Sequence, residues 1–220
     1  KTCSSKASKF YKKFIKGKTI LTNAKTAELS KLSENSFRDV NIAFANELSM
    51  ICDENNVNVW DLIKIANMHP RVNILQPGPG VGGHCIAVDP WFLTYSNPKT
   101  SKLINKARLV NINKEIFVYK KINSLLKGYS KNISDITIAC LGITFKANVS
   151  DLRGSPSLSI IKKLMKKQLK KINIVEPNIS KLPKDFYKQN VILSRLRPAI
   201  TDSDIIIFFV AHDEFKHLKF

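Results

Sequence analysis

Cys85 stands beside His84 and four residues before Asp89, inside the stretch GPGVGGHCIAVDPW (78–91). That stretch packs four of the chain's eight glycines into six residues. Glycine costs backbone entropy, so it belongs where a chain must bend sharply or come close to something. A cysteine delivered by such a loop has three readings. It is a small structural hydrophobe, the common state of a free cysteine. It is a nucleophile, its thiolate favoured by neighbouring cations such as Lys31. Or it joins His84 and Asp89 on a metal, although adjacent ligands suit a tetrahedral ion poorly and no second cluster exists.

A second set of chemical groups lies upstream. Lys31, Asn35 and Arg38 recur at i, i+4 and i+7, so a helix would present all three on one polar face. The sequence GPGVGG also spells G-x-G-x-x-G, the dinucleotide fingerprint, but that motif needs a strand before it and a helix after it. Here a helical pattern and Pro70 precede it, HCIAVDPW with Pro90 follows, and Pro79 interrupts it. The fingerprint reading is rejected.

The elements that position these groups follow from periodicity. Thr26–Asn55 reads as one long helix, with Leu29, Leu32, Ala43, Phe44, Leu48 and Ile51 at helical spacing. Asn58 reads as the N-cap of a second helix, VWDLIKIANMH, which carries Asp61 in its first turn and is closed by Pro70. Residues 70–90 are a Pro/Gly-rich loop, and a third helix runs over Ser101–Leu126 and ends at Gly128. Beyond it the pattern changes. DITIACLGI (135–143), KINIVEP (171–177) and DIIIFFV (204–210) read as buried strands. SPSLSIIKKLMKKQL (155–169) reads as a helix with Ser155 as N-cap and Pro156 at its first position. This order implies a right-handed βαβ unit on a parallel sheet. The expected fold is α/β: a helical unit over 1–130, then a Rossmann-like unit over 131–220, divided near Lys127–Asn132.

Composition narrows the classes. With 220 residues, 44% of them hydrophobic, the chain can bury a proper core. No apolar run approaches the roughly 18 residues of a membrane span, and no uninterrupted apolar segment marks a signal peptide. The longest run, Ile205–Ala211, suits a buried strand. Four scattered cysteines with no CxxC argue against a metal knuckle or a disulfide framework and for a reducing cytoplasm. The net charge of +19 admits a nucleic-acid partner. The lysines are spread through every segment, however, and no RNP-like motif, zinc finger or base-reading helix accompanies them. The expected partners therefore exclude nucleic acid and membrane, while the charge favours an anionic small substrate.

Three segments in order, AELSKLSENSFRDVNIAFANEL, HPRVNILQPGPGVGGHCIAVDPW and GITFKANVSDLRGSP, resemble the nucleotide-sugar 6-dehydrogenases of the UDP-glucose/GDP-mannose dehydrogenase family. The similarity runs essentially end to end, and the middle segment is highly specific. The resemblance implies two successive oxidations of a sugar C6 alcohol to a carboxylate, with two NAD. Within the family the long loop is most similar to members acting on UDP-N-acetyl-D-mannosamine, with UDP-N-acetylglucosamine as the alternative substrate. A non-catalytic fragment that binds a UDP-sugar and dimerises is the alternative from another class. Relatives carry an N-terminal NAD domain, a central helix that dimerises and a C-terminal UDP-sugar domain. This chain resembles the back half, ending short of the last family strand. Its lack of a true fingerprint implies that it does not bind NAD tightly by itself.

The resemblance also implies roles. Cys85 matches the nucleophile that forms a thiohemiacetal and then a thioester. Lys31 matches the proton donor and acceptor that stabilises the oxyanion, and Asn35 the residue holding the water or the C6 oxygen. Their shared helix face lets two donors converge on one developing charge. Asp89 matches the acid that assists water. Arg38 and Gly82 match substrate contacts. His69 and Arg71 match residues that reach the substrate from a neighbouring subunit. Phe145 and Lys146 match UDP-sugar contacts, and Arg153 an NAD-contacting arginine near a helix start suited to anions. Three departures stand out: Gly154 where the family usually has glutamate, Ala147 where proline is common, and Val88 where UDP-glucose enzymes often carry lysine. The last points away from UDP-glucose.

Overall fold

Asn23 opens the longest element: its side chain accepts from Thr26 N at 2.8 Å and caps a helix of 31 residues. The computed structural model describes residues 2–218, with this helix as α2 (Ala24–Glu54). Before it lies α1 (Thr2–Tyr11); after it come α3 (Val59–Ala66), α4 (Asp89–Ser96) and α5 (Lys102–Gly128). Asn58 caps α3 by accepting from Trp60 N and Asp61 N. α2 and α5 pack along each other, and α4 lies against both.

The second part is a fully parallel sheet in the order β3-β2-β1-β4. Its strands are β1 (Thr137–Leu141), β2 (Lys171–Val175), β3 (Val191–Leu193) and β4 (Ile205–Phe208), with α6 (Pro156–Leu164) and α7 (Leu196–Thr201) between them. Every residue of β1 is buried, as expected for a parallel strand covered on both faces. Successive side chains point to opposite faces. Ile138 and Cys140 join Ile160, Ile161 and Leu164 of α6, together with Ile122 and Leu126 from the end of α5. Ala139 and Leu141 join Ala199 of α7 and Phe215. The last turns of α5 thus belong to the core of the sheet and tie it to the helices. β1 lies where strand order reverses, and ligands of such sheets bind at the carboxyl ends there. The turn leaving β1 leads directly to Phe145 and Lys146.

The α/β class stands, and several local expectations change. α4 was not expected: only its first two residues fall in the stretch read as a loop, and Pro90 is tolerated in its first turn, where a missing N–H costs nothing. α6 ends at Leu164 rather than at residue 169, and Gln168 takes φ of 55° as the chain turns into β2. α1, β3 and α7 were not anticipated. The apolar residues expected to mark the buried side of α2 do so only in part: Ala43 is buried, but Leu29, Phe44 and Ile51 are exposed, while the polar Ser36, Asp39 and Asn46 are buried.

Candidate active site

Lys31, Asn35 and Arg38 project from one face of α2 into a cavity of ≈ 440 Å³. Its opposite wall is the glycine loop, including Gly82, His84 and Cys85, and Phe145 and Lys146 close it from the sheet side. Seven of the eleven residues expected at the site, Lys31, Asn35, Arg38, Gly82, Cys85, Phe145 and Lys146, therefore line one space. Asp89 joins them through a hydrogen bond, with Asn35 Nδ2 donating to Asp89 Oδ2 at 2.5 Å.

The loop is held in place from both sides. Gly83 N donates to Arg153 O at 2.9 Å, which fixes the loop to the turn before α6. The Cys85 carbonyl accepts from Val88 N and Asp89 N, so Cys85 stands at the entrance of α4 and Asp89 one turn beyond it. A β-carbon on Gly83 would meet the Phe145 ring at 3.0 Å, and Gly83 takes φ of 87°, a region that favours glycine.

The thiols separate cleanly. Cys85 and Cys3 are exposed, whereas Cys52 and Cys140 are buried. Burial pushes the Cys140 thiol far above its ordinary range, which makes it inert as a nucleophile. Lys31 is paired with Glu34 at 2.9 Å, and that hydrogen bond raises its ammonium pKa, with smaller contributions from Cys85 and Asp89. Lys31 is thus cationic throughout the neutral range and suited to holding an oxyanion. At the mouth of the site Arg153 forks onto Asp151, with Nη2 to Oδ2 at 2.7 Å. That contact, helped by the charge of His84, holds the Asp151 carboxyl down at about 2. Lys146 Nζ lies 5.7 Å from the Phe145 ring centre, a cation–π placement.

His69 and Arg71 lie apart from this cavity. Both are exposed, and His69 Nδ1 accepts from Arg71 N at 3.2 Å. Arg71 lines a second, adjoining cleft that also includes Arg38 and Asn41. GPGVGG follows the extended stretch after α3 and precedes α4, with no strand leading into it, so it is not a dinucleotide turn. Among the described residues no group of three or more His, Cys, Asp or Glu side chains could hold a metal ion.

Sequence reasoning missed the layer beneath the loop. Asp39, Asn46, Arg108 and Asn111 are buried and hydrogen-bonded to one another, and Asn46 Oδ1 accepts from Gly78 N at 2.9 Å. The available signal was Asp39 and Asn46 seven residues apart on α2, facing Arg108 and Asn111 three apart on α5. A second missed cluster backs the β1 turn. Glu176 Oε2 accepts from Ile143 N, Thr144 N and His212 Nε2, while His212 Nδ1 accepts from Asn148 N. These bonds fix the tautomer: His212 carries its proton on Nε2.

Known proteins resemble this chain over nearly its whole length. A UDP-N-acetyl-D-mannosamine dehydrogenase of Campylobacter jejuni is 53% identical over 214 residues, covering 97% of this chain and 52% of that protein. An NDP-N-acetyl-D-galactosaminuronic acid dehydrogenase of Ralstonia solanacearum is 50% identical over 216 residues, 98% of this chain and 50% of that protein. Among solved structures, a UDP-D-ManNAc dehydrogenase from Pyrococcus horikoshii superposes with a TM-score of 0.85 at 35% identity, covering 100% of this chain and 50% of that one. The chain spans about half the length of the relatives it matches. Models of one family match both parts, its central domain over residues 25–113 and its UDP-binding domain over 139–220. With the loop bearing Cys85 facing Lys31 and Asn35 of α2 across one cavity, and with both domain models in family order, the chain belongs to the UDP-glucose/GDP-mannose dehydrogenase family.

Proposed function

We propose that this chain is the catalytic and sugar-nucleotide half of an NAD-dependent UDP-N-acetyl-D-mannosamine 6-dehydrogenase, a cytoplasmic enzyme of bacterial surface-polysaccharide synthesis. In this reading residues 1–130 form the dimerising and catalytic unit and 131–220 the UDP-sugar unit. The observation that carries it is the convergence of Cys85, Lys31 and Asn35 on one cavity closed by Phe145 and Lys146. The identity to mannosamine dehydrogenases supports the sugar.

The chain's residues divide the work. Lys146 and Phe145 hold the nucleotide-sugar, with Arg38 on the opposite wall. The Cys85 thiolate adds to the C6 aldehyde carbon, and Lys31 stabilises the resulting oxyanion as its cation. Asp89, aimed by Asn35, takes a proton from the water that releases the acid from sulfur. Arg153, exposed beside Cys85, fits a phosphate of the dinucleotide, although the chain's described residues form no complete cradle for it. When bound, NAD supplies the acceptor for the hydride leaving C6. His69 and Arg71, outside their own chain's cavity, would serve a partner subunit.

Thermal unfolding tests the reading. UDP-N-acetylmannosamine is expected to raise the melting temperature more than UDP-N-acetylglucosamine, UDP-N-acetylgalactosamine or UDP-glucose; saturation at about 100 times Kd corresponds to about 2.7 kcal/mol. Lys146→Ala should remove most of the rise and Cys85→Ala little of it. Equal or absent stabilisation by all four ligands would overturn the substrate assignment. A larger shift with the galacto sugar would favour the second reading, motivated by the Ralstonia relative at 50% identity.

A further inference from the structure

The glycine loop runs back along α2 with its two ends tied to that helix. Asn46 Oδ1 accepts from Gly78 N at one end, and Asn35 Nδ2 donates to Asp89 Oδ2 at the other. Eleven residues separate the anchors on the helix and eleven on the loop. On the helix that is roughly 16 Å, whereas an extended segment of that length reaches roughly 36–40 Å. The slack is taken up in turns, and where those turns begin decides where Cys85 ends up relative to Lys31 and Asn35.

The starting point is set by a buried chain of hydrogen bonds with one polarity. The Asp39 carboxylate offers only acceptors. Arg108 Nη1 donates to Asp39 Oδ1 at 2.5 Å, and Asn111 Nδ2 donates to the same oxygen at 2.8 Å and to the Asp39 carbonyl at 3.1 Å. Asn111, with its amide nitrogen committed, must show Oδ1 to Asn46, which donates through Nδ2 at 2.9 Å. Asn46 must then show Oδ1 outward, and that oxygen receives Gly78 N. Each amide has one allowed orientation, dictated by the carboxylate at the far end. Asn46, Asn111 and Asp39 are at most 1% exposed, so water does not replace these partners.

We propose that Asn46 and Asn111 are positioning residues for Cys85: a one-way amide relay from Asp39 indexes the start of the nucleophile loop on the helix that carries Lys31 and Asn35. Its importance for catalysis rests on the function proposed above, but the relay is tested without any nucleotide-sugar, so the two ideas fail separately. Gly80 reinforces the register, because its α-carbon lies in a slot between the Asn111 carbonyl and Pro156; a β-carbon there would be 3.2 Å from the first and 3.1 Å from the second.

The experiment is amide hydrogen exchange on the 220-residue chain, with iodoacetamide alkylation of Cys85 in a Cys3→Ser background, since Cys52 and Cys140 are buried. In the unsubstituted chain the Gly78 amide should exchange at least a hundredfold more slowly than exposed loop amides. Asn46→Leu should lower that protection at least tenfold and change the Cys85 alkylation rate at least threefold, while mid-helix amides of α2 and α5 stay protected. Asn46→Asp keeps an acceptor for Gly78 but opposes Asn111 Oδ1; it should keep Gly78 protection within threefold while lowering the melting temperature. The relay is wrong if Gly78 exchanges like an exposed amide in the unsubstituted chain. It is equally wrong if Asn46→Leu leaves protection and alkylation unchanged, or loosens helices and loop in parallel. The first arm needs no substitution and decides the matter even where a variant does not fold.

Discussion

A β-carbon on Gly82 would stand 2.6 Å from the carbonyl oxygen of Gly154, 2.9 Å from Cβ of Phe145 and 3.0 Å from Cδ of Pro156. The loop bearing Cys85 and the turn bearing Arg153 therefore meet backbone to backbone, and glycine at this position is first a condition for closing the site. Only then can it admit a ligand. Gly78 is different: the nearest atom to its β-carbon position is 3.9 Å away. Gly82→Ala is expected to cost about 2–3 kcal/mol through overpacking against backbone that cannot yield, and Gly78→Ala less than about 0.5 kcal/mol. Urea unfolding of the two variants checks this. Equal costs would mean that the loop and the turn before α6 do not touch in solution as they do here.

At the scale of elements, the seam between α2 and α5 is unusually polar, and Lys114 shows the cost. It is 6% exposed, its Nζ meets Ser49 Oγ at 2.5 Å, and it lies 4.7 Å from the Phe117 ring centre. Burial lowers its pKa to about 8, against a smaller opposing pull from Asp53. Between about 8 and the ordinary 10.5 the unfolded chain holds the extra proton, so this residue's contribution makes stability rise with pH across that window. Below it the penalty is present in full. Lys114→Met should stabilise the chain at pH 7 by about 1 kcal/mol, a figure reduced for partial screening by solvent. The gain should fade as pH approaches 10. A gain that does not change with pH would mean that packing, not the buried charge, is responsible. This seam was also the least legible feature of the sequence. The caps at Asn58 and Ser155–Pro156 and the β-branched runs of β1, β2 and β4 are local signals and could be read directly. So could the shared face of Lys31, Asn35 and Arg38, because helical periodicity alone creates it. β3, with three residues, is too short to leave a pattern. Asn46 and Asn111 are 65 residues apart, and the helix periodicity that should have marked the core pointed instead to Phe44 and Ile51, which face outward.

For the whole molecule, those outward residues ask what covers them. Phe37, Phe44 and Ile51 are 72%, 56% and 50% exposed and recur every seven residues along α2. Ile65 and Met68 add 67% and 80% exposure at the end of α3 and just beyond it. A stripe at heptad spacing fits a second helix of the same kind, packed about a two-fold axis. Such a pairing also gives a role to His69 and Arg71, which lie apart from their own chain's nucleophile. The net charge of +19 opposes association through like-charge repulsion, but salt screens dispersed lysines while leaving the burial of an apolar stripe intact. The unsubstituted chain is expected to sediment at close to twice its 24.9 kDa mass, and Phe44→Glu at the single-chain mass. With a helix that stays folded, Phe44→Glu should also reduce the UDP-sugar stabilisation to the level of Arg71→Ala, since both remove the partner's contribution. An unsubstituted chain that sediments as a monomer at every concentration would leave the stripe to some other partner. The role proposed for His69 and Arg71 in a partner subunit's site would then fail.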